Sequence, residues 1–187
     1  MARLRTNIAL GIALVAGCRH HDRSSDDAVV IAATATPIKI DGELSEPEWN
    51  KVGAPRVFTA NGAEARPYSQ VRLLHDATTL YVGLYAADQD VRSTDKFDVA
   101  VGPLTLAVTA NGVVSPAVPG VRAAKDLDGT IDHPQDEDEE WVIELAIPLD
   151  AAGLAKSDVA VPFRASRCDT PKDGVVRCGE WVANVRW

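Results

Sequence analysis

The stretch Thr78 to Asp88, "TTLYVGLYAAD", decides the fold because its side chains alternate strictly. Leu80, Val82, Leu84 and Ala86 fall on one face and Tyr81, Gly83, Tyr85 and Ala87 on the other, the period of two that a β-strand imposes. "EWVIELAIPL" (140–149) repeats the pattern, with Trp141, Ile143, Leu145 and Ile147 set against Val142, Glu144 and Ala146. Outward from these two lie further strand candidates: "VVIAAT" (29–34), "PIKI" (37–40), "RVFTA" (56–60), "SQVRLLH" (69–75), "FDVAVG" (97–102), "LTLAVT" (104–109), "AVPFRASRC" (160–168) and "VVRCGEWVANVRW" (175–187). Short apolar runs separated by Gly, Pro, Asn and Asp, with no long helical period, predict an all-β, two-sheet antiparallel β-sandwich, jelly-roll-like. The polar run 126–140, "DLDGTIDHPQDEDEE", is expected to be a surface loop, and "LDAAGL" (149–154) a single helical turn.

One further helical turn is expected near the start of the domain, in "IDGELSEPEW" (40–49). Asp41-Gly42 is a turn signal, Ser45 with Glu48 has capping-box spacing, and Pro47 suits the first turn of a helix, where its missing N–H would be unpaired anyway. The turn delivers Trp49, which is expected to bury itself against the sheet. Trp141 shares a face with Ile143 and Leu145 and is expected in the core as well.

The chain's 187 residues suffice for one domain with a sizeable core. Residues 1–17 are read as a signal peptide: Arg3 and Arg5 precede an apolar run, Ile8 to Ala16, too short to span a bilayer. Val15-Ala16-Gly17-Cys18 resembles the lipobox of bacterial lipoproteins, which predicts cleavage before Cys18, acylation of its thiol and a membrane partner through the lipid. Residues 18–28 then form a polar tether, and residues 29–187 the domain. The expected location is the bacterial cell envelope, at the outer membrane, since Arg19 follows the acylated cysteine where an inner-membrane retention signal would be an Asp.

Loss of Arg3 and Arg5 with the leader takes the formal net charge from −8 to −10. So acidic a surface argues against nucleic acid as a partner. With Cys18 lipidated, Cys168 and Cys178 are left as an even pair in "CDTPKDGVVRC", where Pro171 and Asp173-Gly174 supply turn chemistry; a disulfide-closed hairpin is expected, with free thiols or a metal half-site as the other readings. Catalysis finds little purchase: His75 and His133 are the only histidines outside the tether, and no Gly-x-Ser-x-Gly elbow occurs. The single methionine is Met1, which leaves with the leader, so a His/Met-ligated haem is excluded.

"IDGELSEPEW", "QVRLLHDATTLYVGLYAADQDV" and "EEWVIELAIPL" resemble, in order and spacing, the carbohydrate-binding module of family 9 and its wider relatives. The resemblance covers roughly Ile31 to Trp187 and implies a β-sandwich that holds the end of a glucan or xylan chain between aromatic side chains, without catalysis. It implies that Asp98, in "DKFDVAV", stands near a carboxylate that hydrogen-bonds sugar hydroxyls, and that Trp181, in "CGEWV", is the second aromatic wall; an inward-packed Trp181 is the other reading. The first wall has no counterpart, because "DVRSTD" (90–95) carries no aromatic.

From the residues themselves, Tyr81 and Tyr85 form either a platform for a pyranose ring, with Arg72, Asp98 and Arg164 as polar neighbours, or a surface that faces the other sheet or a covering loop. Asp126, Asp128 and Asp132, set around Gly129, are calcium candidates, as are Asp88 and Asp90 in "ADQDV". Two functions follow: a lipid-anchored module for a polysaccharide or oligosaccharide, or an envelope structural or protein-interaction module that keeps the sandwich without the sugar site. No feature identifies a protein partner.

Overall fold

The computed structural model describes residues 28–152, 154 and 159–187. The leader, the tether through residue 27 and Cys18 lie outside the described residues. In chain order the elements are β1 (Val29–Val30), β2 (Ala32–Ala33), α1 (Pro47–Lys51), β3 (Arg56–Val57), β4 (Thr59–Ala60), β5 (Ala63–Glu64), β6 (Ser69–His75), β7 (Thr79–Ala87), β8 (Lys96–Val101), β9 (Leu104–Thr109), β10 (Val114–Ser115), β11 (Arg122–Asp128), β12 (Glu140–Pro148), β13 (Val161–Asp169) and β14 (Arg177–Arg186). Among the described residues no helix is long and apolar enough to cross a membrane.

Two sheets face each other. One has eight strands in the order β10-β9-β8-β13-β14-β4-β5, with β1 beside β14; the other has six in the order β11-β12-β7-β6-β2, with β3 beside β6. Pairing is antiparallel except for the two-residue strands β1 and β2, which run parallel to β14 and β6. Alternation predicts the inner faces correctly: Leu80, Val82, Leu84 and Ala86 of β7 meet Trp141, Ile143, Leu145 and Ile147 of β12 and Phe97, Val99 and Val101 of β8 in one buried cluster. Trp141 is fully buried, its ring centroid 4.7 Å from that of Phe97.

The six-stranded sheet is covered on its outer face too. Residues 38–52 lie across it and build a second apolar cluster from Ile38, Trp49, Leu74, Tyr81 and Ala146. "PIKI" is therefore not a strand; it carries Ile38 into this cluster. Gly83 lets the segment come close, since a Cβ there would lie 2.6 Å from Leu44 Cδ2. Helix α1 begins at Pro47 as expected, but its N-cap is Glu46 with no side-chain cap bond, so the Ser45–Glu48 capping box does not form. Contact with the sheet holds the helix instead. Its five residues are too few to be stable alone.

The expected loop 126–140 is also shorter than its polarity suggests. Asp126 to Asp128 belong to β11, an edge strand paired along its length with β12. Its burial alternates weakly because at this edge the inward Ala123 and Leu127 are only half-buried, the inward Lys125 is exposed and the outward Ala124 is half-buried. The segment after Pro148 is a single turn, in which Ala152 N–H donates to Pro148 O, the bond of one helical turn, and Leu154 N–H donates to Leu149 O.

Candidate functional site

Asp98 and Arg164 come together on the outer face of the eight-stranded sheet. Strand pairing sets Asp98 beside Ser166 on β13, Ser166 beside Glu180 on β14, and Glu180 beside Thr59 on β4, so four polar side chains form one row across four strands. Arg164 sits one pleat away and donates from Nε to Glu180 at 2.6 Å. Lys96 reaches Asp98 at 2.9 Å from the far side. The row floors a cavity of about 410 Å³, walled by the Thr59–Asn61 turn on one side and by Cys168 and Cys178 on the other. That volume falls within the roughly 300–1,000 Å³ of small-molecule sites. Cys168 and Cys178 are directly opposed on β13 and β14 and joined by a disulfide.

Both ion pairs are half exposed. Pairs of this kind contribute about 0–1 kcal/mol, so a ligand that offers hydroxyls can exchange with them at little cost. The arrangement supplies carboxylate acceptors, a planar guanidinium donor and a serine hydroxyl around one concavity. Glu180 and Ser166 are absent from the sequence reading. Their signal is positional, because only the strand register reveals that they flank Asp98 and Arg164.

The remaining expected site residues lie elsewhere. Tyr81 is buried in the cluster beneath residues 38–52, and its hydroxyl donates to Asp76 at 2.6 Å, so it offers no face to a ring. Tyr85 is on the same outer face of the six-stranded sheet, edge-on to Tyr68 with ring centroids 6.0 Å apart. Burial, reinforced by a hydrogen bond to Glu140, pushes its phenol up to about 12. Both tyrosines are thus on the opposite side of the sandwich from Asp98 and Arg164. Trp181 shares the inner face of the eight-stranded sheet with Ala165 and Phe163 and packs against Phe163 at 5.6 Å. It does not line the cavity, and no aromatic among the described residues does.

Asp126 and Asp128 project from β11 into solvent, and the Asp132 carboxylate accepts the Ser93 N–H at 3.0 Å. These three do not gather. The carboxylates that converge within 4.8 Å of one another are Asp41, Glu46 and Glu144 in one place and Asp88, Asp95 and Asp169 in another. The second group caps one end of the core beside Arg167, which bridges to Asp88 at 2.6 Å and to Asp169 at 3.2 Å. The Arg167 guanidinium also sits 5.5 Å from the Trp141 ring centroid. Burial pushes the Asp95 carboxyl up to about 6 and raises that of Asp169. A sequence signal for this layer does exist: Arg167 and Asp169 continue the inward positions of Phe163 and Ala165 on β13.

The architecture matches solved structures. A carbohydrate-binding module of family 9 from Caldicellulosiruptor kristjanssonii in complex with glucose superposes with a TM-score of 0.60 at 16% identity, over 86% of this chain and 95% of that one. The fold is that of a family 9 carbohydrate-binding module. A family 9 module from the same organism in complex with cellotriose gives 0.58 at 17% identity, over 81% of this chain and 83% of that one. No family model matches the sequence, and no curated protein matches it. At 16–17% identity the likeness is one of fold.

Proposed function

We propose that this chain is a non-catalytic carbohydrate-binding module, held at the bacterial cell envelope by a lipid on Cys18, which takes a polysaccharide or oligosaccharide on the outer face of its eight-stranded sheet. The observation that carries the reading is the row Asp98, Ser166 and Glu180 with Arg164 beside it, on a fold whose solved examples hold glucose and cellotriose. Carboxylates and a guanidinium at this spacing suit vicinal hydroxyls, each of which both donates and accepts. Val182, exposed and opposite Arg164 on β14, adds an apolar patch for the ring. The lipobox at Cys18 and the polar tether after it support the anchoring.

Among the described residues no aromatic lines the cavity, which favours a second reading, an envelope structural or protein-interaction module on the same fold. A panel of soluble and insoluble glycans, of glucan and xylan type among others, separates the two when titrated against residues 28–187. Binding that Asp98→Ala abolishes while the melting temperature holds supports the sugar site. Silence across the panel supports the second reading.

A further inference from the structure

We propose that the cavity between His75 and Trp187, at the end of the sandwich away from Arg167, is a second saccharide site, which takes a pyranose ring that carries no negative charge. One wall comes from each sheet. His75 follows Val71 and Leu73 on the inward positions of β6, and Trp187 follows Ala183 and Val185 on those of β14. Their ring centroids are 6.1 Å apart. The cavity measures about 830 Å³, a volume suited to a small ligand. Its floor is apolar, from the buried Leu149 and Leu154, and Thr78 and Asp150 stand at its rim.

Trp187 differs from the other tryptophans. Trp49 and Trp141 are wholly buried and give their indole N–H groups to Glu144 and Asp88, and Trp181 packs on Phe163. Trp187 is half-buried and lines a cavity of ligand size. A pyranose ring offers an apolar face to such an indole and hydroxyls to the groups around it. His75 supplies one partner. Its Nδ1 lies 3.0 Å from the Asp76 carbonyl oxygen, which can only accept, so in the neutral ring Nδ1 carries the proton and Nε2 keeps a lone pair for a ligand hydroxyl.

The rim is fixed in advance. The Asp76 carboxylate accepts the N–H groups of Thr78 and Thr79, each at 2.8 Å, and the Tyr81 hydroxyl at 2.6 Å, so the turn between β6 and β7 is held rigid and loses little freedom on binding. Charge selects the sugar. Asp76 and Asp150 line the cavity and, among the described residues, no Lys or Arg does, which disfavours an anionic saccharide. The outer-face row differs in this respect, since Arg164 and Lys96 accompany its carboxylates. The two sites are also apart on β14, where Glu180 points outward and Trp187 occupies an inward position.

The purified full chain is titrated calorimetrically with cellotriose and with trigalacturonate, as wild type and as Asp98→Ala. Two binding events for cellotriose are expected in the wild type, of which Asp98→Ala removes one. The event that survives Asp98→Ala should shift the tryptophan fluorescence, and trigalacturonate should not produce it. Added to Asp98→Ala, Trp187→Ala should weaken this event by about tenfold or more through the lost stacking surface. His75→Phe, which keeps a ring but removes the Nε2 acceptor, should weaken it by about three- to tenfold. If near-ultraviolet circular dichroism shows that Trp187→Ala has lost its packing, His75→Phe decides. The proposal is overturned if Asp98→Ala removes all cellotriose binding, if the surviving event keeps its affinity in the folded Trp187 and His75 variants, or if trigalacturonate binds there as well as cellotriose. Binding that ignores Asp98→Ala but is lost with Trp187 would instead remove the outer-face row and leave this site, so the two readings fail separately.

Discussion

Trp49 Nε1 donates to Glu144 Oε1 at 3.0 Å, and neither residue has any exposure to solvent. The other oxygen, Oε2, accepts the backbone N–H groups of Asp41 and Gly42, each at 3.0 Å. One carboxylate from β12 thus pins both ends of the segment 41–49 to the sheet. It explains why a Gly turn, a tryptophan and a strand glutamate occur together across about a hundred residues of sequence: they are one contact. Trp49 is wholly buried and holds the covering segment shut.

The first prediction concerns that bond. Trp49→Phe keeps most of the buried ring but removes the donor, leaving Glu144 Oε1 unsatisfied in a dry site. A buried acceptor without its donor costs about 1–3 kcal/mol. Denaturant unfolding of the variant should show that loss with an unchanged slope, because the surface exposed on unfolding is the same.

Glu144 also makes stability depend on pH. Burial pushes its carboxyl up to about 7 from an ordinary 4.5, against the pull of the Gly42, Asp41 and Trp49 donors. Between these values the folded chain keeps a proton that the unfolded chain has released. The contribution of Glu144 to stability is therefore largest below about pH 4.5, falls as pH rises, and reaches its minimum above pH 7. Melting temperatures of the wild type and Glu144→Gln across pH 5 to 8 check this. The wild type should lose more than the variant over that range, and parallel curves would refute the assignment.

Gly42 is fixed by two constraints at once. Its φ is 99°, and a Cβ there would lie 2.2 Å from the carbonyl carbon of Lys125 on β11. Gly42→Ala must strain the turn and push the segment away from the edge strand, which also lengthens the bond from its N–H to Glu144. A loss of about 1–3 kcal/mol follows from the backbone alone. Hydrogen exchange should show the loosening concentrated in residues 38–52 and β11.

Much of the sandwich was legible because burial on one face leaves a period of two, which β8 and β9 carry cleanly, while β7 and β12 are buried on both faces and show the period only through outward residues such as Tyr81, Gly83 and Glu144. Where both faces are alike the sequence is silent. β11 alternates weakly at an exposed edge, and Tyr81 lies on a second buried face that only residues 38–52 create. The candidate site was half legible for a related reason. Asp98 and Arg164 announce themselves as polar residues on outward positions, but their partners Ser166 and Glu180 follow from register, which is a property of pairs of strands. Trp181 was ambiguous until β14 was paired with β13, which puts it beside Phe163 on the inner face.

Trp181→Ala therefore tests packing and not recognition. The side chain is half-buried against Phe163 and the core. Its truncation should cost about 2–4 kcal/mol, somewhat below the full range for a wholly buried aromatic. At temperatures where the variant remains folded, its affinity for any glycan bound by the wild type should be unchanged.

Arg164 carries the opposite expectation. It is about half exposed and its main partner, Glu180, is as well, so its removal should change stability by less than about 1 kcal/mol. Its planar fork is what would recognise adjacent hydroxyls, and a lysine cannot reproduce that geometry. Arg164→Lys should therefore weaken glycan binding almost as far as Arg164→Ala does, although the charge is retained. Calorimetric titration of both variants with the best glycan from the panel makes the comparison. Affinity kept by the lysine variant would mean that charge alone matters, which points to an acidic sugar in place of a neutral one. Affinity kept by both would move the binding face away from the row of Asp98, Ser166 and Glu180 altogether.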